Sequence, residues 1–274
     1  MKNLYRLSAF PKTDFGGNKA GVYINADNLS DKEMQKIAKD VGFSETAFVM
    51  KSKVADFKVR FFTPTSEVDL CGHATIATFN LLRVLKIINE GAYTQETKAG
   101  ILSLDVKKDF VFMQQPSPVF SESISVEDIR ECFSNLEVDQ RFKPQIVSTG
   151  IREIFLPVKN LDVLNKLDPL FEKMTLLARK YNTIGIHAFA LDDEVDAYGR
   201  NFAPVVGINE ESATGTSNGA LASYLFKYSR QKKNFVLRQG YSMNQPSEII
   251  VNLDIVDNRI NKVFVGGNAR ILPE

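Results

Sequence analysis

The chain has little of what usually announces a function. Among its 274 residues only two are cysteine, Cys71 and Cys132, and only two are histidine, His73 and His187. Two thiols are too few for a disulfide framework or a thiolate metal cage, and two imidazoles exclude a multi-histidine metal site. No Asp-x-Asp motif suggests a magnesium site. An excess of one charge is missing too: 34 Lys plus Arg against 33 Asp plus Glu leave a formal net charge of +1. Without a run of about five basic residues there is no field to draw nucleic acid. No stretch approaches the roughly 18 apolar residues of a membrane span. Met1 to Phe10 alternates like a strand and lacks a signal peptide's apolar core, so a cytoplasmic protein with reduced thiols is expected.

What remains is ordinary globular chemistry, 44% hydrophobic and 24% charged, enough for one large domain or two typical ones. The pattern along the chain repeats. Strands are expected at Leu4–Phe10 and Ala20–Ile24, followed by a helix with Ser30 as N-cap and Glu33 as capping-box partner. Met34, Ile37, Ala38 and Val41 supply its apolar period, and Gly42 ends it. Strands at Thr46–Met50 and Phe57–Phe62 lead through a polar loop to Gly72 and an apolar helical run, Ile76–Ile88. Strands Ile101–Lys107 and Phe110–Gln114 close this half, and Gln115–Glu122 reads as a linker broken by Pro116 and Pro118.

The second half follows the same order. A strand at Glu153–Val158 precedes helices at Asp162–Lys166 and Leu170–Tyr181. Strands at Gly185–Leu191 and Val195–Phe202 run into a second polar loop with Gly215. A second apolar helix, Ser217–Tyr228, opens from it, and strands at Phe235–Gln239, Glu248–Leu253 and Lys262–Val265 complete the set. The expected architecture is therefore a duplicated α+β unit with a pseudo-twofold axis and a cleft between halves. The boundaries expected are 1–117, completed by a strand at 264–274, and 118–263. No GxGxxG or Walker pattern follows any strand.

Two buried helices that begin at glycine turns aim backbone N–H groups and positive dipole ends at a ligand, for which a carboxylate is the natural guest. A tight turn ahead of a core helix would use the same glycines. Glu45, where a helix ends and an apolar strand begins, is placed for acid/base work, and a solvated loop glutamate would read identically. His73 and Glu211 lie at the two helix entrances, as shuttle and acid or as capping and dipole partners. Thr75 and Thr216 are ligand donors or caps. Cys132 is expected in the core. His187 is expected to be half-buried, or in contact with substrate.

Five segments, in order, carry a resemblance. Phe62-Thr63-Pro64-Thr65-Ser66-Glu67-Val68-Asp69-Leu70-Cys71-Gly72-His73-Ala74-Thr75 resembles the hallmark of the PhzF-like phenazine-biosynthesis proteins. Gly17-Asn18-Lys19-Ala20-Gly21-Val22, Ser44-Glu45-Thr46-Ala47-Phe48-Val49 and Glu210-Glu211-Ser212-Ala213-Thr214-Gly215-Thr216 are similar to that family's GNPAAV, SETxFV and EDPATGS elements. Gln239-Gly240, Pro246-Ser247 and Val265-Gly266-Gly267 are similar to its C-terminal pattern. The resemblance implies the diaminopimelate-epimerase-like α+β fold, each half a sheet wrapped around a central helix. It also implies a homodimer and an isomerase with no metal or coenzyme, acting on a small carboxylate-bearing metabolite.

By the same resemblance Glu45 is the proton carrier, with His73 and Glu211 beside it as catalytic residues. Asn18, Gly72, Ala74, Thr75, Thr214, Gly215 and Thr216 are implied as substrate contacts. The sequence departs from the pattern at Glu211 for aspartate, Ser212 for proline, Thr216 for serine, Gln245 for arginine and Lys19 for proline. Two rivals stay open. One is an epimerase or dehydratase using the Cys71 thiol, for which Thr214 offers no second thiol. The other is a binding protein of the same fold without catalysis.

Overall fold

The computed structural model describes residues 3–273; Met1, Lys2 and Glu274 lie outside the described residues. The chain divides into two compact units, Met1–Gln114 with Gly266–Glu274, and Gln115–Val265.

In the first unit, strands β1 (Leu4–Ala9) and β2 (Asn18–Tyr23) form an antiparallel pair. Helix α1 (Asp31–Val41) begins with the capping box read from the sequence. The Ser30 side chain accepts from the Glu33 N–H, and Glu33 Oε2 accepts from the Ser30 N–H at 2.8 Å. It ends on Gly42 in the left-handed region, and Met34, Ile37, Ala38 and Val41 form its buried face. Strand β3 (Glu45–Met50) returns parallel to β2, with Ala20 opposite Glu45. Strands β4 (Phe57–Phe62) and β5 (Glu67–Val68) lead to α2 (Gly72–Val84), whose residues from His73 to Leu82 are all buried. A helix apolar on every side must be enclosed, and α2 packs against β1, β2, β3 and later strands of the unit. Strands β6 (Gly91–Thr97), β7 (Gly100–Val106) and β8 (Val111–Gln115) follow.

In the second unit, β9 (Val119–Ser123) and the short α3 (Val126–Arg130) precede β10 (Gln145–Ser148) and β11 (Arg152–Pro157). Helices α4 (Leu161–Lys166) and α5 (Phe171–Lys180) connect β11 to β12 (Ile186–Leu191), which runs parallel to it. Then come β13 (Ala197–Ala203), β14 (Ile208–Glu211) and the buried helix α6 (Gly215–Tyr228). Strands β15 (Asn234–Gln239), β16 (Ser247–Val256) and β17 (Arg259–Gly267) close it, and β18 (Ala269–Ile271) returns to β1.

The repeat reaches individual side chains. On β4, Arg60 forks onto Glu67 at 2.7 and 2.9 Å and lies 5.2 Å over the Phe62 ring. On β13, Arg200 forks onto Glu210 at 2.8 and 2.8 Å and lies 4.9 Å over Phe202. The guanidinium beside Glu67 holds that carboxyl down at about 2. Each fork ties the polar loop to the strand before it.

Several elements depart from expectation, and β5, α3, β10 and β14 were not expected at all. The linker at 115–122 contains β9, paired with β10, and its exposed, polar residues hide the strand. Strand β6 buries Gln95 and Thr97 rather than apolar residues, so no period marks it. Helix α2 starts at Gly72, four residues early, because Thr75 N–H already donates to the Cys71 carbonyl. It ends at Val84, where Lys86 turns left-handed. Cys132 is buried as expected, in a turn after α3.

Candidate active site

The SET element places Glu45 as the first residue of β3, and the CGHAT element places Cys71 and His73 at the first turn of α2. Glu45 Oε2 is shielded from solvent and makes no hydrogen bond, although Nε2 of His73 lies 3.3 Å away. His73 is 5% exposed. On its other side Nδ1 lies 3.3 Å from Asn18 Nδ2 and 3.4 Å from Cys71 Sγ. Ser44 Oγ reaches Nε2 at 3.4 Å. An acid, an imidazole, a thiol and an amide therefore meet in one unit, drawn from β2, β3 and α2.

Asn18 is held there by its neighbour. Gly17 has φ +88, and a Cβ on it would come within 2.2 Å of Ser8 Oγ and 2.5 Å of the Ala9 carbonyl. Only glycine lets β2 start here. Gly72 is different: its φ is ordinary, and an added Cβ would meet only Met113 at 3.6 Å. The turn itself does not demand this glycine. The N-cap Cys71 makes no side-chain capping bond, so the first turn of α2 keeps its dipole uncapped by that side chain. Ala74 is wholly buried in that turn. The Thr75 hydroxyl is already engaged, donating to the Cys71 carbonyl at 2.8 Å and accepting from Gln95 at 3.2 Å.

In the second unit, Glu211 ends β14 and its Oε2 accepts from the Thr214 hydroxyl at 2.5 Å. Gln239 donates to the Glu211 carbonyl at 2.7 Å and to Thr214 Oγ1 at 3.0 Å, and accepts from Asn218 at 2.7 Å. Thr214 is the N-cap of α6, again without a side-chain capping bond, and Gly215 and Thr216 open the helix. The Thr216 carbonyl accepts from Thr149 at 3.0 Å.

Beneath this loop lies a polar cluster that the sequence reading missed. Glu153 is 1% exposed, accepting from the Ser217 hydroxyl and, at 2.6 Å, from Asn201. Burial pushes its carboxyl up to about 7; the two donors oppose this and the charge of Glu211 adds to it. Asn201 also lies 3.2 Å from Nδ1 of His187, whose Nε2 is buried without a partner. Burial drives that imidazole down to about 3. His187 is fully buried, not half-buried as expected. A carboxylate at the head of an apolar strand gave no sign of this pairing, because Asn201 and Ser217 lie far along the chain.

Residues 7–274 match the family described as phenazine biosynthesis-like protein, PhzC-PhzF. The chain belongs to this family. An uncharacterized isomerase of Clostridium acetobutylicum is 37% identical over 98% of this chain and 96% of its own length. The crystal structure of a PhzF-family phenazine biosynthesis protein from Bacillus anthracis superposes with a TM-score of 0.90. It is 32% identical and covers 99% of this chain and 97% of its own. The trans-2,3-dihydro-3-hydroxyanthranilate isomerase of Pseudomonas fluorescens is 26% identical over 98% of this chain and 96% of its own. The protein is thus a PhzF-family isomerase with the family's epimerase-like α+β fold. Among the described residues no helix is long and apolar enough to cross a membrane.

Proposed function

We propose that this isomerase moves a proton within a small carboxylate-bearing metabolite, without metal or coenzyme, and that Glu45 carries the proton. The observation that carries the reading is Oε2 of the Glu45 carboxylate, shielded from water and turned to His73 at the start of α2. Glu45 takes a proton from a carbon activated by an adjacent unsaturated or carboxylate group and returns it elsewhere on the same molecule. The first turn of α2 binds the carboxylate and stabilises charge that develops on it. His73, held by Asn18, orients the acid or relays its proton. Glu211, as a second acid, and Thr214, Gly215 and Thr216, as substrate contacts, are proposed on their motif.

The name of the Pseudomonas fluorescens relative supports a ring-bearing amino acid of the dihydroanthranilate type as the first compound to try. The test is deuterium uptake from D₂O into that compound and related carboxylates, with wild type and Glu45→Gln compared. Exchange by the variant at the wild-type rate would refute the assignment. One observation favours a second reading: Cys71 Sγ lies 3.4 Å from His73, a thiol–imidazole pair suited to thiol-dependent epimerisation or dehydration. Loss of exchange in Cys71→Ala, with Glu45→Gln active, would select it.

A further inference from the structure

Glu153 and Ser217 occupy places where the first repeat has two alanines. Tyr23 and Leu156 each lie beside the residue that faces a forked arginine, Phe48 opposite Arg60 and Ala188 opposite Arg200. Three residues before them come Ala20 and Glu153. Ala74 and Ser217 are each the third residue of their central helix. Both alanines are wholly buried, so the first unit packs its strand and helix at these places without polar side chains. The second unit buries a carboxyl and a hydroxyl there, at the desolvation cost of both. The fold alone does not call for them.

The pair is tied to both sides of the α6 entrance. The Ser217 hydroxyl donates to Glu153, and Asn201 donates to Glu153 at 2.6 Å and to the Ser217 hydroxyl at 3.1 Å. Asn201 is the residue of β13 that pairs with Glu211 of β14. One buried carboxyl thus touches the first turn of α6 directly and the end of β14 through a single amide. We infer that Glu153 is a positioning residue, which fixes the first turn of α6 through Ser217 and the end of β14, with Glu211, through Asn201. Its bearing on catalysis rests on the proposed role of this entrance in holding substrate.

Only one charge state suits that work. Burial raises the Glu153 carboxyl to about 7, so it is neutral below that pH and charged above it. Neutral, it completes a buried cluster without net charge. Ionised, it becomes a charge enclosed in the interior and repels the charge of Glu211. The other groups around it do not titrate alongside. His187 of β12, across Asn201, stays neutral because burial lowers it to about 3. Strand β13 turns Arg200 to the opposite face, onto Glu210. Strand β10 and the first turn of α6 bring no titratable side chain. Loss of the Glu153 proton is therefore expected to loosen the entrance as pH rises through 7.

Backbone amide resonances of the full chain, followed by NMR from about pH 5.5 to 8.5, read this without any ligand. In wild type the amides of Glu211 and of Gly215 to Asn218 are expected to shift together with a midpoint near 7. In Glu153→Gln, which keeps the neutral shape, they stay flat. Ser217→Ala, which copies Ala74 of the first repeat, is expected to halve the shift at Gly215 to Asn218 or better, and it serves if Glu153→Gln does not fold. Flat amides in wild type, an unchanged titration in Glu153→Gln, or an undiminished shift in Ser217→Ala would each overturn the assignment. A second arm follows deuterium exchange into trans-2,3-dihydro-3-hydroxyanthranilate. Over the same range the KM of wild type is expected to rise about fivefold or more, the lower end of usual linkage between sites, and that of Glu153→Gln to stay level. A glutamate that only filled space would give both proteins one profile. Amides that titrate beside a KM indifferent to pH would remove the α6 entrance from the substrate site and leave the hold of Glu153 on it standing.

Discussion

Glu45 and Gly185 hold the same place in the two repeats. Each stands three residues before the strand position paired with the forked arginine, Phe48 opposite Arg60 and Ala188 opposite Arg200. At Gly185 an added Cβ would fall 1.8 Å from the Phe202 carbonyl, so the second unit has no room for an acid there. Duplication gave the fold twice and this carboxylate once.

Glu45→Gln is therefore expected to have no substitute within the repeat. Proton exchange will fall by about 10²- to 10⁴-fold, the usual worth of a general acid/base. Circular dichroism and melting will be close to wild type, because the amide keeps the shape of a residue that makes no hydrogen bond through Oε2. Deuterium uptake measured by NMR checks this.

Cys71→Ala is expected to leave exchange within about threefold of wild type, since general acid/base transfer through Glu45 does not need the thiol. Asn18→Ala removes the amide beside Nδ1 of His73 and frees the ring to turn; a misplacement of about 1 Å in such a group costs on the order of 10²-fold. The two variants, compared at saturating and limiting substrate, separate imidazole orientation from thiol chemistry.

Glu153 and His187 bend the stability curve in opposite directions. The Glu153 carboxyl stands at about 7 against an ordinary 4.5, so its contribution is full below about 4.5 and lost as pH rises through 7. His187 stands at about 3 against 6.5, so its contribution is full above 6.5 and lost as pH falls towards 3. Each slope is about 1.4 kcal/mol per pH unit, and between 4.5 and 6.5 they cancel. Relative to Glu153→Gln, wild type will lose roughly 3 kcal/mol between pH 4.5 and 7. Relative to His187→Gln, it will gain stability from pH 3 to 6.5. Urea unfolding across this range measures both, and parallel curves would contradict the burial argument.

Gly17→Ala forces a side chain into the left-handed region and against Ser8 and Ala9. The expected destabilisation is about 3 kcal/mol. Because β2 begins at the next residue, exchange will drop as Asn18 shifts. A folded variant of native stability would show that the turn relaxes freely.

Much of this was legible in the chain. The capping box at Ser30 and Glu33, the apolar period of α1 and the repeated order of elements follow from local rules that tertiary structure left alone. Strand β6 was not legible, because it buries Gln95 against Thr75 and so breaks the alternation that identifies a half-buried strand. The motifs named Glu45 and His73, but their 3.3 Å approach depends on β3 and α2 converging, which spacing along the chain does not encode. The cluster around Glu153 was invisible for the same reason: its members come from β11, β12, β13 and α6. Thr75 read as a ligand donor or a cap, and its hydroxyl donates to the Cys71 carbonyl, a contact within the helix start that the residue type alone does not distinguish.

The arginine forks have a consequence for how a ligand is met. Each fixes a surface loop against its own strand before the helix begins, so the loop's freedom is lost during folding and not during binding. Ordering backbone costs about 1–2 kcal/mol per residue, and a loop that closed over its guest would deduct that sum from affinity. Both loops are set in advance, and since Glu67 stays ionised down to about pH 2, acid does not loosen the fork on β4. On the proposed reading, recognition at each helix entrance then depends on shape fitted to a loop already set, a lock that was cut before the key arrived.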